Sequence, residues 1–139
     1  MADSTITALS AASVLDLTEV LPVDQAGTTK KATIAQLSAI PLNSQTGTTY
    51  TLVLGDAGYC VEMNNGSANT LTVPPNSSVA FPIGTNVLVR QMGAGLTTVA
   101  QGSGVTIRTP LTLAMKGQYA TANLHKRGTN EWCLDGNIT

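Results

Sequence analysis

Apolar and polar residues alternate with a period of two through most of the chain beyond residue 43, and this pattern predicts short β-strands. In Tyr59–Met63, Tyr59, Val61 and Met63 share one face, and Cys60 and Glu62 share the other. Asn86–Met92 sets Val87, Val89 and Gln91 against Leu88 and Arg90, and Glu131–Asp135 sends Trp132 and Leu134 inward. Further strands are expected over Thr48–Leu54, Thr70–Val73, Leu96–Ala100, Val105–Arg108, Leu111–Met115 and Tyr119–His125. Between them lie turn signals rich in Asn and Gly, such as Asn64-Asn65-Gly66 and Gly93-Ala94-Gly95. Pro82 marks Val79–Ile83 as an edge or a loop, because it removes a ladder donor. Many short strands at close intervals, with no long helix among them, predict an all-β module. We expect an antiparallel β-sandwich of jelly-roll type.

The first 42 residues have a different character. Leu21–Val23, the turn-forming Asp24–Gly27 and Thr28–Thr33 read as a loose hairpin. Thr33 and Gln36 fit a capping box, and Ile34, Leu37 and Ile40 recur at helical spacing, so one short helix is expected before Pro41. The division expected is therefore an extended N-terminal arm, residues 1–42, and a β-sandwich module, residues 43–139. An arm of that length lacks the means to build its own core. Ile6, Leu9, Leu15, Leu17, Val20 and Leu21 nevertheless need burial, which points to docking on another protein.

Composition narrows the function. Of the 139 residues, 42% are hydrophobic but only 11% are charged, against about 25% in ordinary soluble domains. The surface is therefore largely Thr, Ser, Asn and Gln, which suits a secreted or virion protein. Net charge is -1, and the basic residues are scattered, with Lys30-Lys31 and Lys126-Arg127 read as solvated turns. A nucleic-acid partner would require a basic stripe, so none is expected. No apolar run reaches the ~20 residues of a membrane span, and no apolar segment follows the acidic start as a secretory signal would require.

Candidate chemistry is sparse. Cys60 and Cys133 match no zinc or redox spacing, and no metal or cofactor is expected. Both cysteines fall on the outer face of their strands, which leaves a disulfide open if those strands are neighbours. His125 stands alone at a strand end, and there is no Gly-x-Ser-x-Gly elbow. The best enzymatic alternative is a glycan hydrolase using Glu62 and Glu131 as paired carboxylates. Two solvated acids are the simpler expectation, and no catalytic residue is assigned.

Two stretches carry a resemblance. Ile6–Leu9 through Leu21–Asp24 to Gly27–Leu37 resembles the N-terminal attachment segment of phage tail-fibre and related virion proteins. Tyr50–Gly58, Val61–Asn64, Ala68–Asn76, Phe81–Gly84, Gly117–Tyr119 and Asn130–Trp132 together look like a β module found at the ends of phage fibres and tailspikes and in capsid decoration proteins. The resemblance implies a homotrimer on the virion exterior. A fibre has a long shaft, whereas Pro41–Thr48 is the whole connection here. The expectation is therefore a trimeric capsid decoration (cement) protein, made in the host cytoplasm and placed on the outer capsid surface. Its arm would grip the major capsid protein. The alternative is a receptor-binding fibre tip whose Thr, Asn and Tyr119 side chains contact host surface glycan.

Overall fold

The computed structural model describes Val20–Gln25, Thr28–Thr33 and residues 39–139. The chain divides into two units, Met1–Ala39 and Ile40–Thr139. In the first, β1 (Val20–Gln25) pairs antiparallel with β2 (Thr28–Thr33), with Val20 opposite Thr33 and Gln25 opposite Thr28. This is the expected hairpin. The short helix expected from Thr33 to Ile40 falls on residues 34–38, outside the described residues, and Thr33 itself ends β2.

The second unit is all-β, as the alternation predicts. Its strands are β3 (Leu42–Gln45), β4 (Thr49–Thr51), β5 (Cys60–Met63), β6 (Asn69–Val73), β7 (Asn86–Gln91), β8 (Thr97–Gln101), β9 (Thr106–Arg108), β10 (Thr121–Gly128) and β11 (Glu131–Gly136). They form a six-stranded sheet, β3-β5-β7-β10-β11-β9, and a three-stranded sheet, β4-β6-β8. From β3 to β8 the chain alternates between the sheets, and each new strand lies parallel to the one before it in the same sheet. The winding resembles a short β-solenoid. Only then does the chain turn back, with β10 antiparallel to both β7 and β11, and β9 parallel to β11 at the edge.

The expected antiparallel jelly-roll is thus corrected to a mainly parallel winding. The physical reason lies in the crossover. Parallel neighbours usually need a long connection, most often a helix. Here a strand of the opposite sheet serves as that connection. Strands such as β6 and β7 still bury one face and leave the other partly exposed, so the alternation is the same as in an antiparallel sandwich.

The core lies between the two sheets. Val61 and Met63 (β5), Leu71 and Val73 (β6), Val87 and Val89 (β7), Val99 (β8), Leu124 (β10), and Trp132 and Leu134 (β11) are all buried, with Leu52, Phe81 and Met115 from the connections. Each such aliphatic side chain contributes roughly 1.5–3 kcal/mol relative to exposure, before ordering costs.

At one corner successive turns of the winding stack on each other. Asn65 holds its own turn through Ser67 N–H to Oδ1 (2.7 Å) and donates from Nδ2 to Thr46 O (2.6 Å) in the turn before. Gly95 N–H in the following turn donates to Asn65 O at 3.0 Å. Beneath this corner the buried Asn69, Gln91 and Thr97 satisfy one another and the backbone. Thr97 Oγ1 donates to Asn69 Oδ1 (2.7 Å), and Thr97 N–H to Gln91 Oε1 (3.1 Å).

Candidate functional site

Of the arm residues, Val20 and Leu21 lie in β1, opposite Thr33 and Ala32. Ile6, Leu9, Leu15 and Leu17 lie outside the described residues.

The strand order separates the two cysteines. Cys60 in β5 and Cys133 in β11 have β7 and β10 between them. Three strand spacings are about 14 Å, whereas bridged cysteines hold their Cα atoms about 4.4–6.8 Å apart. Both are free thiols, so the disulfide left open by the sequence does not form. Cys60 is also buried rather than outward in solvent, and that burial raises its thiol pKa, while Arg90 opposes the rise. Protein purified without reductant should show two titratable thiols. A thiol reagent should reach the half-buried Cys133 first and Cys60 only on unfolding, and a monomer that lacks both thiols until reductant restores them would contradict this arrangement.

The same topology separates Glu62 from Glu131. Glu62 pairs with Arg90 (3.4 Å), and Glu131 with Arg108 (3.2 Å) and Arg127 (3.9 Å). The strand registers run from Glu62 through Arg90 to Thr121, whose carbonyl accepts from Asn137 N–H. Glu131 therefore lies three strands across and six residues along, about 14 Å by about 20 Å. Paired glycosidase carboxylates stand roughly 5–9.5 Å apart, so these two do not form such a pair. His125 lies within β10 between Asn86 of β7 and Cys133 of β11, not at a strand end as expected, with Nδ1 3.2 Å from Asn86 Oδ1. Among the described residues no three His, Cys, Asp or Glu side chains gather as metal ligands, and no helix is long and apolar enough to cross a membrane.

Two buried charged groups anchor connections. Asp56 ends a 3-10 turn at Leu54–Asp56, and its carboxylate accepts from Asn43 Nδ2 (2.7 Å), Tyr50 OH (2.9 Å) and Val53 N–H (2.8 Å). This ties β3 and β4 to the turn that follows them. Lys126 is the larger surprise. The Lys126-Arg127 pair reads as a solvated turn, but β10 runs on through it, and Lys126 is 1% exposed. Its Nζ donates to Asn76 Oδ1 (2.6 Å) and Phe81 O (2.7 Å) and lies 5.9 Å from the Trp132 ring centre. Phe81 meets Trp132 edge-on at 5.5 Å. Lys126 thus holds the Pro74–Ile83 connection on the sheet. The alternation Ala122, Leu124, Lys126 was the available signal for its inward direction.

Burial lowers the Lys126 pKa from its ordinary 10.5. The unfolded chain then binds more protons than the folded one between the lowered value and 10.5, so stability rises with pH across that interval. Tyr50 and Cys60, whose pKa values are raised, give the opposite slope. Chemical denaturation of the wild type and Lys126→Met along an alkaline pH series separates these contributions. The difference between the two curves should move in favour of the wild type as pH rises toward 10.5, and a flat difference would exclude the assigned cause.

The other distinctive feature is a turn between Met115 and β10. Ala120 N–H donates to Gly117 O (3.0 Å), closing Gly117–Ala120, and Tyr119 occupies its third position with φ 67°. The residue is 68% exposed. Beside it lies a shallow depression of about 220 Å³, lined by Lys116, Gln118, Tyr119 and Asn137 among others.

Against known proteins, no family profile matches the chain and no curated protein matches it.

Proposed function

We propose that the chain is a phage structural protein, a trimeric capsid decoration protein that grips the shell through its N-terminal arm and displays the β module outside. The observation that carries this reading is the division into a hairpin-bearing N-terminal unit and a module, Ile40–Thr139, with its own core. An attachment segment and a displayed knob need that separation. The partners of this reading are the major capsid protein for the arm and two further copies for the module.

Exposed Ile40, Leu42, Val53 and Leu54 all belong to the first turn of the winding, where β3 and β4 are the outer strands of their sheets. Edges without charged residues are suited to contact with another chain, which favours assembly at this end. A trimer presents three arms at once, and effective concentration multiplies their grip.

A fibre tip that touches host glycan is the second reading, favoured by the exposed Tyr119 turn. Gold-labelled antibody to the module, applied to intact particles, tests both. Label over the shell supports decoration, label at the tail end moves the protein to the second reading, and unlabelled particles remove both.

A further inference from the structure

We propose that Asn65 is a self-modification site, an amide that the folded module converts to aspartate or isoaspartate and that thereby unlatches the first turn of its winding. The inference rests on one corner of the module and holds whether that module sits on a capsid or a tail.

The sequence supplies the reacting pair. Asn65-Gly66 is its one Asn-Gly dipeptide. Glycine has no Cβ to shield its nitrogen from the side-chain carbonyl before it, and asparagine is a heat-labile residue for that kind of reason. Gly66 is exposed, and a Cβ built on it meets nothing within 4 Å, so the space around it is open. The fold adds a second observation. Ser67 N–H donates to Asn65 Oδ1 at 2.7 Å. That bond polarises the side-chain carbonyl and aims a donor at the oxygen where negative charge develops under attack.

The reaction needs only water. Gly66 N loses its proton to solvent base and bonds to Asn65 Cγ. The Cγ–Nδ2 bond breaks, and Nδ2 leaves as ammonia with a proton taken from water. The succinimide so formed takes up water at either carbonyl. One opening gives aspartate, and the other gives isoaspartate, with the main chain running through Cγ.

The consequence follows from what Asn65 holds. Its Nδ2 donates to Thr46 O at 2.6 Å and ties the second turn of the winding to the first. A carboxylate has no N–H to give, so two oxygens would face each other there. Isoaspartate also lengthens the backbone beside Asn65 O, which accepts from Gly95 N–H at 3.0 Å. That corner is too tight for a Cβ on Gly93 or Gly95. β3 and β4 are the outer strands of their sheets, each with a neighbour on one side, so the first turn is the part released.

The test ages the full chain at physiological temperature in mildly alkaline buffer, with the buried Trp132 reporting by fluorescence that it stays folded. Peptide mass mapping and isoaspartyl methyltransferase labelling should find conversion at position 65 ahead of every other asparagine. Gly66→Ala, which the open space tolerates, should slow it about tenfold or more. The aged protein, separated by its added negative charge, should exchange amide hydrogens severalfold faster at Asn64 and Thr70, which donate to Gln45 O (2.8 Å) and Thr48 O (2.9 Å) of the first turn. The Lys126 amide, bonded to Thr85 O at 2.9 Å, should keep its rate. Asn65→Asp, made directly, should reproduce the faster exchange without ageing. An intact amide at position 65 in aged, folded protein, equal conversion in Gly66→Ala, or unchanged exchange at Asn64 and Thr70 would each overturn the proposal.

Discussion

Gly95→Ala is expected to destabilise the module by at least about 3 kcal/mol. A Cβ at this position would lie 2.0 Å from Ser67 O and 2.2 Å from Ser67 C, both backbone atoms of the turn stacked against it. No flexible side chain can yield there. Either the corner separates, losing the Gly95 N–H bond to Asn65 O, or the successive turns of the winding shift apart. Gly93 is in the same position, 2.1 Å from Asn65 O. Gly66 is the control, because a Cβ there meets nothing within 4 Å. Trp132 is the only tryptophan and is buried, so its fluorescence reports urea unfolding of the module. Gly66→Ala should leave the midpoint nearly unchanged while Gly95→Ala lowers it steeply. Equal, small effects would mean the turns are not packed as described.

Trp132→Ala is the second large effect, with an expected cost of about 3–5 kcal/mol. Its indole is 1% exposed, and its removal takes away the edge-on contact with Phe81 and the ring beside the Lys126 ammonium. The void would adjoin a buried cation held only by two neutral oxygens. Circular dichroism during denaturation measures the loss. Hydrogen exchange should also quicken at the Val79 and Phe81 amides, which close local turns at 3.0 Å in the connection that Lys126 pins. Destabilisation without faster exchange there would separate the Trp132 contribution from the Lys126 anchor.

The elements legible in the sequence were those whose signal is local. Val61 with Met63, Val87 with Val89 and Gln91, and Trp132 with Leu134 point inward as period two requires. The β1–β2 hairpin follows from its Asp and Gly. What was not legible depends on pairing between distant segments. Leu42–Gln45 is almost wholly polar and Leu42 is exposed, so β3 is a strand because β5 lies beside it. Leu111–Met115 has strand-like composition but contributes only isolated bridges, Thr98 to Ala114 and Met115 to Ile138. Parallel and antiparallel windings give the same alternation, which is why the direction of pairing was missed.

The same limit applies to the candidate sites. The separation of Cys60 from Cys133, and of Glu62 from Glu131, is a property of strand order, which spacing along the chain does not encode. The inward direction of Lys126 follows from the alternation, but its partners, Asn76 and Phe81, lie about fifty residues upstream and are not signalled locally. Tyr119 reads as the start of the strand expected over Tyr119–His125, whereas the strand starts at Thr121 and Tyr119 belongs to the turn before it with positive φ, which the sequence does not signal.

The most direct test of the proposed function is co-sedimentation. The full chain and a version lacking residues 1–39, its fold verified by circular dichroism, are each mixed with undecorated capsids and with isolated tails. The account predicts that the full chain pellets with capsids and that the shortened chain, though folded, stays in the supernatant. Binding to tails alone, or capsid binding that persists without the arm, would contradict it.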